Sequence, residues 1–94
     1  MNIGRSETLI SGNWLSENGR LVADEVCERI NRLVGSHLQK VTSDPSGWET
    51  LYRDPEDDRY WELTYPKSEL HGGGPPQLRA VSVDEAREKY GVAT

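Results

Sequence analysis

Two runs of β-compatible residues, Trp48 to Asp54 and Arg59 to Tyr65, stand on either side of Pro55-Glu56-Asp57-Asp58, and no other feature limits the fold as strongly. Both runs are rich in aromatic and β-favouring side chains, and the residues between them have turn chemistry. Closing them as an antiparallel hairpin sets Asp54 opposite Arg59, Tyr52 opposite Trp61, Thr50 opposite Leu63 and Trp48 opposite Tyr65. Side chains alternate across a strand with period two, so the last three pairs share one face. The register therefore predicts a core face of Trp48, Tyr52, Trp61, Leu63 and Tyr65. The other face carries Glu49, Leu51 and Arg53 against Tyr60, Glu62 and Thr64, a mixed polar surface suited to water or to a partner.

The chain has few other groups with which to build a core. Of its 94 residues 34% are hydrophobic and none is Phe, so the three Trp and four Tyr carry an unusual share of the burial. Each large aromatic side chain buries roughly 150–250 Å². A chain of this length supports one core, and residues 8–94 are expected to form a single α+β domain behind a flexible polar tail, residues 1–7, whose one core candidate is Ile3.

The remaining elements follow from local signals. Asn18-Gly19 between Trp14-Leu15 and Leu21-Val22 is a strong hairpin signature, since a type I′ turn needs positive φ at both central residues. Asp24 is placed to cap a helix, and Glu25 and Glu28 suit the positive end of its dipole. Ala23, Val26, Cys27, Ile30, Leu33 and Val34 then form one apolar stripe at the helical period. Gly35 offers a stop, yet His37, Leu38 and Val41 continue the stripe, so residues 38–43 read equally as helix or strand. Gln77 to Val81 supplies one further strand. Ser82 and Glu85 form a capping-box signature before a short helix, Val83 to Tyr90, which Gly91 closes. The expected fold is a mainly antiparallel twisted sheet, made of the N-terminal hairpin, the aromatic hairpin and one more strand, packed on one principal helix with a short C-terminal helix.

Chemistry is sparsely signalled. His37 and His71 lie in different elements with no Cys or His at metal-ligand spacing, and the hairpin loop lacks the ligand pattern of an EF-hand, so neither a metal nor a cofactor is expected. His37 on the helical stripe reads as a partly buried structural histidine. Gly72-Gly73-Gly74 matches no phosphate-binding pattern, and Pro75-Pro76 removes the donors such a loop needs. No GxSxG occurs, and Cys27 on the apolar stripe reads as a core thiol. No catalytic residue is assigned.

The formal charge of −5 argues against a nucleic-acid partner and suits a basic protein. Arg53-Asp54-Pro55-Glu56-Asp57-Asp58-Arg59 concentrates four carboxylates at the hairpin tip, either a solvated turn or an exposed acidic knob able to approach a basic cleft. With a single cysteine and no apolar run long enough for a signal peptide or a membrane span, the chain is expected to be cytoplasmic and without a membrane partner.

Taken together, Gly12-Asn13-Trp14, Val22-Ala23-Asp24-Glu25, Gly47-Trp48-Glu49-Thr50-Leu51-Tyr52-Arg53-Asp54-Pro55, Tyr60-Trp61-Glu62-Leu63-Thr64-Tyr65-Pro66, His71-Gly72-Gly73-Gly74-Pro75-Pro76 and Glu85-Ala86-Arg87-Glu88-Lys89-Tyr90 resemble the immunity protein 27 family of bacterial polymorphic toxin systems. The resemblance implies an α+β protein that inactivates a cognate toxin inside the producing cell, and it implies no catalytic residues. From the hairpin reading, Glu49, Asp54, Glu56, Asp57, Asp58 and Glu62 are the expected partner-binding residues, with Ile30 and Leu33 joining the five hairpin residues in the core. Two other classes stay open. One is a small hydrolase or isomerase using His71 with Glu62 or Glu69, and the other is a regulatory domain with a non-toxin partner. An exposed hairpin edge leaves the oligomeric state open as well.

Overall fold

The computed structural model describes residues 3–4, 6–17, 19–66 and 74–92. The expectations attached to Glu69, His71, Gly72 and Gly73 lie outside the described residues. In chain order the elements are β1 (Leu9–Ser11), β2 (Trp14–Glu17), β3 (Arg20–Ala23), α1 (Glu25–Arg32), a π-helical turn (Leu33–His37), β4 (Gln39–Ser43), β5 (Thr50–Arg53), β6 (Tyr60–Thr64), β7 (Gln77–Val81) and α2 (Val83–Tyr90). Five strands form an antiparallel sheet in the order β1-β7-β6-β5-β4, and β2 and β3 pair separately.

The β5–β6 hairpin has the expected register, with Tyr52 opposite Trp61 and Thr50 opposite Leu63. Trp61 and Leu63 project towards α1 and meet Ile10, Ile30, Leu33, Leu38 and Leu78 in one buried cluster, with Tyr52 and Ala80 packed at its margin. Ile3 is buried in the same cluster. Beside it Glu7 pairs with Arg29 at 2.7 Å, and Arg59 donates to the carbonyls of Gly4 and Glu7.

Helix α1 begins where its cap predicts. Asp24 Oδ1 accepts the Cys27 N–H at 2.8 Å, and Cys27 and Ile30 of the apolar stripe are buried. The helix then widens into the π turn, where the Leu38 N–H reaches back five residues to the Leu33 carbonyl at 2.7 Å. Ser36 Oγ donates to the Arg32 carbonyl, drawing off an acceptor from the regular ladder. The extra residue per turn brings His37 inward, and Leu38 then turns to extended backbone. Residues 39–43 are strand, paired with β5 through a register shift between Lys40 and Thr42.

Two departures from the expected fold matter for function. The N-terminal hairpin stands apart from the main sheet, which instead gains the short strand β1 beside β7. The second face of the β5–β6 hairpin is covered as well. Leu51 is fully buried and Glu62 is 3% exposed, and α2, capped by Ser82 at Glu85 N–H and closed by Gly91 at φ 71°, returns to bond Glu62 through Lys89 and Tyr90. Among the described residues no helix is long and apolar enough to cross a membrane.

Trp48 corrects the expected core face. It is 60% exposed, because the β5 ladder begins only at Thr50 and Trp48 sits in the preceding turn. Its anticipated partner is nevertheless Tyr65, whose ring lies 6.0 Å away at an edge-on 81°. Asp44 shapes this turn by accepting the N–H groups of Gly47 and Glu49, and Gly47 adopts φ 79°, a conformation that favours glycine.

Candidate functional site

Of the four carboxylates at the hairpin tip one is buried within the turn, Asp57 is half-buried, and Glu56 and Asp58 are exposed. Asp54 is fully buried. Its backbone N–H donates to the Arg59 carbonyl and its own carbonyl accepts from Asp58, closing the turn with two 2.8 Å bonds. Its side-chain Oδ1 accepts the Glu56 N–H at 2.9 Å and lies 3.1 Å from His37 Nε2. The expected contact residue is thus the strut of the loop. Glu56 is exposed and stands 3.9 Å from the same histidine nitrogen. Asp57 accepts from the Arg59 guanidinium at 2.7 Å. Asp58, at φ 62°, is the one described non-glycine residue with positive φ and is paired with Arg53.

Glu49 and Glu62 belong to a different assembly. Arg79 and Tyr90 bond the two oxygens of Glu62 at 3.1 and 2.8 Å, and Lys89 bridges Glu62 to Glu49. Burial alone would raise the Glu62 carboxyl, but the bonds from Lys89, Tyr90 and Arg79 outweigh it and hold the group below its ordinary range. Burial and the bond to Glu62 in turn push the Tyr90 phenol up. Glu62 therefore fastens α2 to the sheet from a buried position, whereas Glu49 keeps a half-buried position at the rim beside Lys89.

The same rim holds the Trp48 and Tyr65 rings, which with Ser46 and Glu49 line an open hollow. It lies at the opposite end of the hairpin from the acidic tip. Sequence reasoning missed Trp48 as a surface residue because pairing partners alone do not show where a ladder stops. It also missed the meeting of His37 with Asp54 and Glu56, which depends on the π turn.

Other candidates resolve into framework. Cys27 is buried and donates to the Asn13 carbonyl at 3.3 Å, and burial pushes its thiol up, away from reactive thiolate. Gly12 passes so close that an added Cβ would meet Cys27 Sγ at 2.5 Å. Glu62, one of the carboxylates considered for a His71 catalyst, is committed to Arg79, Lys89 and Tyr90.

No curated protein and no solved structure matches the chain. The family described as Immunity protein 27 matches residues 16–82, a stretch that runs from β2 through α1 and the hairpin to Ser82, the cap of α2. That stretch contains the strut Asp54, the buried Trp61 and the α2 anchor Glu62. The chain belongs to the Immunity protein 27 family.

Proposed function

We propose that the chain binds a cognate bacterial toxin by direct contact and neutralises it by covering the surface with which the toxin works. In this reading the protein is a stoichiometric inhibitor acting in the cytoplasm of the producing cell, and it carries out no catalysis. The observation that carries the reading is the hairpin tip. Glu56, Asp57 and Asp58 ride on a turn whose backbone Asp54 fixes from within, so acidic groups are presented in a preset geometry. A preset surface loses less entropy on binding, and its charge steers a basic partner into contact. Of the six residues first considered, the proposal rests on Glu56, Asp57 and Asp58, since Asp54 and Glu62 are buried and Glu49 is held by Lys89.

Charge change at the tip tests this. Glu56→Lys combined with Asp58→Asn removes negative charge while Asn tolerates the positive φ at 58. Association with the copurified toxin should slow by about tenfold at low salt and lose much of its salt dependence. Unchanged association kinetics would move the interface off the tip.

One observation favours a second location for the contact. Trp48 is a large aromatic left 60% exposed beside Tyr65, and aromatic residues of this kind often dominate binding energy. Trp48→Ala should then raise the dissociation rate with little change in association. The enzymatic alternative is separated by His71→Ala, which leaves protection intact in an inhibitor and abolishes activity in a catalyst built on that residue.

A further inference from the structure

His37 and the pair Asp54 and Glu56 come from separate elements, yet the π turn and the hairpin tip bring one ligand atom from each within 4.8 Å of the others. We propose that these three side chains bind one divalent cation of the zinc class. The spacing is close to what such an ion needs. His37 Nε2 lies 3.1 Å from Asp54 Oδ1 and 3.9 Å from Glu56 Oε2. Ligand atoms around a tetrahedral zinc, each about 2.0–2.1 Å from the metal, sit about 3.3 Å from one another. Small side-chain rotations about fixed backbones close the difference.

The state of Asp54 points independently to a cation. The residue is fully buried, and among the described residues its Oδ2 has no hydrogen-bond partner. Hydrogen bonds from His37 and from the Glu56 N–H serve Oδ1 and leave the second oxygen unmet, whereas buried carboxylates are normally paired, hydrogen-bonded or metal-bound. A cation between Asp54, Glu56 and His37 compensates the buried charge as a whole. Both supports of the site are closed by backbone hydrogen bonds. The 2.7 Å bond from Leu38 N–H to the Leu33 carbonyl closes the turn that carries His37, and the bonds of Asp54 close the hairpin.

The donor set selects the kind of ion. Calcium takes six to eight oxygens and magnesium prefers an octahedron of oxygens, while one imidazole with two carboxylates suits zinc and its first-row neighbours. Glu56 and His37 retain solvent exposure, so the ion has an entry path and water can complete its coordination. A bound ion would tie the end of α1 to the hairpin tip. The site goes beyond the toxin-binding reading and does not depend on it.

The test is calorimetric titration of ZnCl2 into the full chain without toxin, with the visible spectrum of the Co²⁺ form as a second readout. We expect saturable binding of one ion per chain. His37→Ala and Glu56→Gln should each weaken it by roughly tenfold or more, while His71→Ala leaves it unchanged. Glu56 is exposed, so its variant reports on the site even if His37→Ala disturbs folding. Absence of saturable binding at millimolar zinc overturns the proposal. So does binding that survives both the His37 and Glu56 changes, or that disappears with His71→Ala. Because no toxin is present, failure here is distinguishable from failure of the inhibitor reading.

Discussion

The Tyr90 hydroxyl donates a 2.8 Å hydrogen bond to Glu62 Oε2, joining the last residue of α2 to a carboxylate buried in the middle of the sheet. Arg79 and Lys89 contact the same carboxylate, so α2 is held by charged bonds as well as by the buried Ala86. Tyr90→Phe keeps the ring and removes the bond. Hydrogen bonds to charged groups contribute about 1.5–3 kcal/mol, and the remaining partners of Glu62 should keep the loss near the lower figure. Urea unfolding checks the value, and a variant as stable as the wild type would remove Tyr90 from the anchor.

Acid should destabilise the protein through carboxylates held low in the folded state. The Arg29 guanidinium, followed by the Gly4 N–H, lowers the Glu7 carboxyl from 4.5 to about 2. The folded value lies below the unfolded one, so the unfolded chain binds the proton first as pH falls. The stabilisation is complete above about 4.5 and is lost progressively towards about 2. Glu62 acts in the same direction. Urea midpoints should therefore fall through this window, and Glu7→Gln should make the fall shallower. An equally steep decline in that variant would exclude the Glu7–Arg29 pair as a contributor.

How far the sequence foretells this arrangement depends on whether the determining contact is local. The pairing of Tyr52 with Trp61 follows from side-chain alternation and a turn of fixed length, and the caps at Asp24 and Ser82 rest on bonds three residues away. The burial of Glu62 is not local. Nothing between Tyr60 and Thr64 records that α2 will return across that face, and α2 itself buries only Ala86 fully among its residues. The three-residue β1 is too short to show a period. At the tip, composition reveals the acidic turn but not that Asp54 folds inward to support it. His37 and Asp54 are 17 residues apart, and their contact needs a π turn for which no residue pattern is diagnostic.

Close approach at Gly12 provides a sharper test of packing. An added Cβ would lie 2.5 Å from Cys27 Sγ and 3.1 Å from the Pro76 carbonyl oxygen. The Gly12 N–H donates to that same carbonyl at 2.9 Å, which leaves the backbone little freedom to withdraw. Gly12→Ala should destabilise by about 1–3 kcal/mol, as overpacking commonly does. Cys27→Ala removes the nearest obstacle, so the double variant should lose less than the sum of the two single changes. Strict additivity in urea unfolding would show that the thiol is not what the methyl group meets.

Trp61 and Trp48 should differ sharply although both belong to the aromatic hairpin. Trp61 is fully buried between Ile30, Leu33 and Leu78, with the Arg59 guanidinium 4.9 Å from its ring centre. Its replacement by Ala opens a large cavity and should cost about 3–5 kcal/mol, enough to leave a marginally stable domain largely unfolded. Trp61→Leu retains more volume and should give a measurable intermediate loss. Trp48 contributes its edge-on contact with Tyr65 and little burial, so Trp48→Ala should cost about 1 kcal/mol or less. Urea unfolding followed by circular dichroism reads both changes without relying on tryptophan fluorescence. Comparable losses for the two alanine variants would contradict the division between a buried Trp61 and an exposed Trp48.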